Sequence, residues 1–340
     1  MAEAAEDSLS EFHRTLRESA IWPFWEVCDE VMLSEPRAPD APWIWRWKEL
    51  LPFIDRAGRE VSMENAERRA LMLVNPDFGG RSFTTTNLFA GIQILEPGEA
   101  AVSHRHTASA MRFVVEGGGI TVVNGQECPM EPGDLILTPN WAWHEHSNPT
   151  DRRVVWLDAL DIPLAQNLGP MFMEHGGTNR SDDNLSAIPD RAFAAGGYMP
   201  DIAAPATRHS PMFRYPWTQT VAALSSVPVA PDGARRVRYT NPVDGGPVIR
   251  SMDCYAWELA RGRETRPVRS TSNAIVTVVE GEGRSTVGEE TVQWAEHDVF
   301  TVPHWNWTAH TAVSETARLF VYTDREVLRL FDFLRDEYRD

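Results

Sequence analysis

Four histidines in two short segments carry the clearest chemistry in the chain: His104-Arg105-His106 and His144-Glu145-His146. On a β-strand, residues i and i+2 project to the same face, so His104 and His106 would present two imidazoles side by side. A third histidine from a later strand could close a three-nitrogen cap over one metal ion. Imidazole suits iron, zinc, copper or nickel, and three facial nitrogens leave up to three corners of an octahedron open. A neutral ligand set also leaves the full divalent charge on the ion. A tetrahedral zinc hydrolase needs only one open position. The set therefore points to Fe(II) chelating an anionic substrate with a place left for O2, although three histidines alone leave zinc and copper open. The plainer alternative is a hydrogen-bonded core or surface histidine pair.

The spacing around these residues resembles the two motifs of the cupin barrel, G-x5-H-x-H-x(3,4)-E-x6-G and G-x5-P-x-G-x2-H-x3-N. Gly98 stands six residues before His104, Gly133 six before Pro139, and Asn148 four after His144. The Pro139 and Asn148 spacing selects His144, rather than His146, as the third ligand. Two positions depart from the pattern. Ala110 and Met111 occupy the places of the usual glutamate ligand, and Trp141 replaces a glycine.

Several neighbours suit an aromatic acid. Arg112 lies in opposite phase to Met111 and Phe113, so inside a barrel it could grip a carboxylate through its planar fork; on an edge strand it would be a surface arginine. His146 could exchange a proton with a bound hydroxyl. Asp158, after the apolar run Val154 to Leu157, could orient such a histidine or simply end a strand. Gln93 offers an amide, and Phe89, Trp141 and Trp143 could line a slot for a ring or serve as packing.

These residues need strands to position them. Met111–Glu116, Ile120–Val123, Leu135–Thr138 and Arg153–Ala159 read as strands, with turns at 117–119 and Glu131–Asp134. Asn124-Gly125 is a two-residue hairpin signal. Short strands separated by glycine and proline turns predict an all-β jelly-roll barrel. Residues 8–34 read as helical, interrupted at Pro23, and 64–73 as a short helix or a helix-to-strand passage. The expected organisation is a helical N-terminal arm over 1–75, a barrel carrying the metal site over 76–165, a connection over 166–245 rich in Gly, Pro, Ser and Asn, and a second barrel over 246–340 ending in a helix.

The second barrel is read from an internal repeat. Phe113–Gly119 is echoed by Val278–Gly283, and Pro139–His146 by Pro303–His310. The echo loses the candidate ligands. Val268-Arg269-Ser270 follows Gly262 where the first copy has the histidine pair, and Thr308 replaces His144. The second copy is thus expected to serve as scaffold and interface, with His310, the counterpart of His146, structural.

The chain has 340 residues, with 49 acidic against 32 basic and a net charge of -17. That balance argues against nucleic acid and anionic membranes as partners. Cys28, Cys128 and Cys254 form no CxxC pattern, consistent with a reducing cytoplasm. The acidic N-terminus lacks the apolar stretch of a signal peptide.

Taken together, Ala66–Arg69, Ala90–Gln93, His104–Thr107, Arg112–Gly117, Pro132–Asp134 and Trp141-x-Trp143-His144-x-His146 resemble the gentisate 1,2-dioxygenase group. That group includes salicylate, 5-nitrosalicylate and 1-hydroxy-2-naphthoate dioxygenases. The resemblance implies a cytoplasmic bicupin homotetramer with Fe(II) on His104, His106 and His144. It implies a small aromatic hydroxy-acid substrate opened with O2 between the carbons bearing its carboxylate and hydroxyl. By position Arg112 would hold the carboxylate, and His146, backed by Asp158, would assist the hydroxyl. Arg68, Phe89, Gln93 and Trp141 would line the pocket. Family members active on gentisate tend to carry a tyrosine where this chain has Phe89, which leaves room for a 5-substituted or unsubstituted salicylate. A non-catalytic, ligand-binding bicupin is the alternative from another class.

Overall fold

In the computed structural model, the residues described are 2–66, 68–176, 192–193, 200 and 209–340. Parts of the expected connection (177–191, 194–199 and 201–208) lie outside them. Residues 1–37 form one unit, containing the helices Ala2–Glu18 and Phe24–Val31 with the break at Pro23 between them. Residues 38–340 form the other.

The larger unit is an all-β bicupin: two similar halves, each a pair of antiparallel sheets. In the first half a six-stranded sheet contains Phe89–Leu95, Ala110–Glu116, Leu135–Thr138 and Val154–Leu160. A five-stranded sheet contains Ala100–His106, Gly119–Val123, Gln126–Met130 and His144–Ser147. The predicted hairpin closes at Asn124 and Gly125, which have φ of 47° and 80°; both central residues of a type I′ turn need this sign. The second half repeats this pattern, with Asp253–Ala260, Ala274–Glu280, Val299–Val302 and Thr316–Thr323 in its larger sheet.

The central strands of the first six-stranded sheet are buried on both faces. Val154–Leu160 and Phe89–Leu95 have no exposed residue, because one face lines the barrel and the other packs on the second half. Phe113 stacks on Phe320 at 4.4 Å, and Tyr322 donates to the Phe89 carbonyl at 3.0 Å. A single apolar cluster runs from Ile92, Met111 and Trp156 through to Cys254, Ile275 and Tyr322. The first half is therefore held rigidly against its partner half.

Segments outside the barrel cores also join the sheets. Ile44–Trp45 pairs with Val299 and Phe300 of the second half, and Met173–His175 pairs with the histidine strand. Arg214–Tyr215 and Ala234–Arg238, both ahead of residue 246, add edge strands to the first and second large sheets. The helix Trp47–Glu60, which the sequence reading did not mark, buries Ile54 and Ala57. Its first amide is capped by Asp298 Oδ1 at 2.7 Å. The passage near 64–73 resolves into the turn of helix Met63–Ala66 and the strand Ala70–Met72.

Candidate active site

His104 and His106 lie on one strand and His144 on the neighbouring strand, directly opposite His104 in the antiparallel register. All three are buried. One nitrogen from each lies within 4.8 Å of the others, so the three could hold a single ion. The rings of His104 and His144 are 4.0 Å apart, and those of His106 and His144 4.9 Å.

The backbone decides which nitrogen is free. His104 Nδ1 donates to the Val102 carbonyl at 3.0 Å, His106 Nδ1 to Ala108 at 2.6 Å, and His144 Nδ1 to Ala142 at 2.8 Å. Each bond fixes the proton on Nδ1 and leaves the Nε2 lone pair for a metal, the usual device for presenting neutral imidazole ligands. His144 Nε2 is buried without a hydrogen-bond partner among the described residues, as a waiting ligand atom would be. Burial lowers His104 to about 2, reinforced by Arg68, and His106 to about 4. Burial likewise holds His144 well below the ordinary imidazole range. The donor set is neutral, and it fits a divalent transition metal.

Beside it stands the fourth histidine. His146 is buried and its ring lies 5.7 Å from that of His144. Its Nδ1 is bonded to Thr121 Oγ1 at 2.9 Å, and its Nε2 has no partner among the described residues. Burial, with Arg112 next, keeps it neutral as well.

Arg112 is buried on the facing sheet, bonded to Thr138 Oγ1 and ion-paired through Nε to Asp158 Oδ1 at 3.2 Å. Asp158 also accepts from Trp156 Nε1 at 3.0 Å. The expectation that Asp158 orients His146 is thus corrected. Asp158 sits directly across the strand pair from Arg112, and the group on His146 is Thr121, which the sequence reading missed. Arg68 is close enough to repel a proton from His104, His106 and His146. Two guanidiniums against one carboxylate make a locally cationic pocket inside a strongly acidic chain. Gln93 is buried with its Nε2 unpartnered among the described residues.

Phe89 forms an apolar wall with Ala108, Ala110 and Leu160. Gly91 permits this, since a Cβ there would meet the Phe89 ring at 3.0 Å. Trp141 is placed differently from the ring-slot expectation: its ring packs at a tilt against Phe172, 4.7 Å between centroids, and the Arg105 guanidinium lies 4.3 Å over it. Arg105 stands between the two ligand histidines in sequence and so faces the opposite way, which draws Trp141 toward the outer side of that strand.

Residues 91–160 match the family model described as a cupin domain. The chain is 38% identical to a gentisate 1,2-dioxygenase of Streptomyces sp., over 96% of this chain and 94% of that protein. It is 35% identical to a 5-aminosalicylate 1,2-dioxygenase of Comamonas sp., over 97% and 90%. The crystal structure of salicylate 1,2-dioxygenase from Pseudoaminobacter salicylatoxidans with gentisate superposes with a TM-score of 0.90 at 33% identity, covering 98% of this chain and 94% of that one.

Proposed function

The chain belongs to the family of gentisate- and salicylate-type 1,2-dioxygenases, cupin enzymes that cleave aromatic rings, and from that premise we propose that it opens a 2-hydroxybenzoate between the carboxyl- and hydroxyl-bearing carbons with O2. The proposed cofactor is Fe(II) on His104, His106 and His144. When bound, it would supply a Lewis-acidic centre with open positions at which hydroxy acid and O2 meet.

The observation that carries this reading is the buried Arg112 beside three neutral imidazoles whose Nε2 atoms converge. A second arginine, Arg68, contributes to the same field. A buried guanidinium only partly offset by Asp158 calls for an anion, and a carboxylate satisfies its fork with two charge-assisted hydrogen bonds. Arg112 would thereby fix the ring in one plane, with Asp158 and Thr138 holding the guanidinium still. His146, kept neutral by burial and held on Nδ1 by Thr121, leaves Nε2 to accept the proton of the substrate hydroxyl. Gln93 Nε2 can donate to a substrate oxygen. Phe89 offers a flat apolar wall, so a salicylate carrying an apolar or no 5-substituent would fit at least as well as gentisate.

Oxygen uptake by iron-loaded protein, measured with gentisate, salicylate, 5-nitrosalicylate and 1-hydroxy-2-naphthoate, tests the proposal. Uptake matched by formation of the ring-opened dicarboxylate is expected with at least one single-ring acid. No uptake with any of the four would leave a ligand-binding bicupin as the better reading.

A further inference from the structure

The second half contains a cavity of about 530 Å³ at the place where the first half has its histidines. The strand registers make the correspondence explicit. Val268 pairs with Thr308 as His104 pairs with His144, and Val276 pairs with Val321 as Arg112 pairs with Asp158. Those four second-half residues, with Ser270, line the cavity. Losing the ligands did not fill the space.

The walls divide by depth. Val276, Val321, Thr308 and His310 are buried at the inner end. Trp257 also faces the cavity, and its Nε1 is buried without a hydrogen-bond partner among the described residues. Nearer solvent stand Arg236, Arg238, Arg266 and Arg325. The carboxylates that hold Arg238 and Arg325 are Asp253, Glu326 and Asp336, and none of these is part of the wall. Asp232, on Arg236, is the one acidic residue in the lining.

We propose that this cavity is a second binding site, for a small aromatic carboxylate held without metal. The ring would lie among the valines against Trp257, and the carboxylate would be directed at the arginine-rich mouth. The volume and the composition, an apolar body with a few polar groups, are those of a small-molecule pocket. The guanidiniums already carry partners, but each has five donors, and a carboxylate can share those left over. A purely structural void would not need a cationic mouth or a stranded indole donor. The site stands independently of the activity proposed for the first half.

Equilibrium dialysis with benzoate separates the two sites in the double variant His144→Ala with Arg112→Met, which lacks both a metal ligand and the guanidinium proposed to hold a carboxylate in the first half. That double variant should still bind one benzoate per chain, at least about ten-fold more tightly than benzyl alcohol, a difference of about 1.4 kcal/mol. Val276→Trp, which fills the inner end, should abolish that binding while leaving ring-cleavage kcat within about two-fold of the parent, well below the ten-fold that marks a real change in barrier. Trp257→Phe serves if the larger substitution prevents folding; it should weaken benzoate several-fold. Absence of binding to the double variant, equal affinity for benzyl alcohol, or affinity unmoved in both cavity variants would each overturn the proposal.

Discussion

The two halves share a backbone plan and differ in which interactions they keep. Both retain a hydroxyl–histidine pair, Thr121 with His146 at 2.9 Å and Ser285 with His310 at 2.6 Å. Both also clamp an outward arginine between two tryptophans and a glutamate. Arg105 lies over Trp141 and Trp143 and pairs with Glu174 at 2.7 Å. Arg269 lies over Trp305 and Trp307 and pairs with Glu337 at 2.6 Å. Trp141 and Trp305 even share a left-handed backbone, with φ of 62° and 60°. What differs is the set His104, His106, His144, Arg112 and Asp158, replaced by Val268, Ser270, Thr308, Val276 and Val321. The duplicated arginine clamp is therefore architecture, and the unduplicated residues are the ones proposed to carry the chemistry; of the duplicated hydroxyl–histidine pair, only His146 stands beside the three converging imidazoles. The comparison moves Trp141 into the first group. It also shows that the hydroxyl bond orienting His146 does not depend on a metal.

The largest effects should follow from moving the ligands. His104→Ala or His144→Ala should remove the bound metal and lower ring cleavage by about a thousand-fold or more, read by metal analysis and oxygen uptake on the same sample. The reciprocal graft, Val268→His with Ser270→His and Thr308→His, should bring a second metal equivalent per chain. A graft that folds without binding metal would mean that the two backbones are less alike than their registers. Arg112→Met should come next. Losing a charge-assisted pair worth about 1.5–3 kcal/mol would raise KM for the aromatic acid by roughly ten- to a hundred-fold, and an unchanged KM would end its carboxylate role.

Smaller effects separate architecture from chemistry. Thr121→Val and Ser285→Ala each leave a buried imidazole nitrogen unpaired and should cost about 1–2 kcal/mol in denaturant unfolding. Only the first should also lower kcat; equal kcat for both variants would reduce His146 to a structural residue. The pH dependence of His310 gives the finest test. Burial, with Arg236 adding repulsion, lowers His310 from the ordinary 6.5 to about 3. The folded chain keeps it neutral while the unfolded chain takes a proton. Its share of stability is thus intact above pH 6.5 and drains away as pH falls toward 3. His310→Gln should flatten that part of the stability–pH curve, and an unaltered curve would place the acid sensitivity elsewhere.

Much of this arrangement is legible in the amino-acid sequence. The i, i+2 histidines, the flanking glycines and Asn148 suggest a local geometry by spacing alone, and Asn124-Gly125 marks the hairpin whose first strand pairs with the His144 strand. The internal echo exposed the missing ligands of the second half. Other features had no such mark. Thr121 sits in an ordinary Ile-Thr-Val-Val run, and only the register opposite His146 gives it a task. Asp158 faces Arg112 because of cross-strand pairing that the sequence does not specify. Trp141, three residues before His144, reads as a wall of the ring slot by sequence proximity, whereas the structure sets it under Arg105. Helix Trp47–Glu60 has a clear amphipathic period, and only Pro52 inside it argues against a helix in the sequence.

The asymmetry between the halves is tested most directly by anomalous scattering at the iron edge from crystals of the active, iron-loaded protein. One peak per chain is expected, bounded by the Nε2 atoms of His104, His106 and His144, with none in the second half. Full ring-cleaving activity in crystals whose only peak lies elsewhere, or that show no peak at all, would contradict the account.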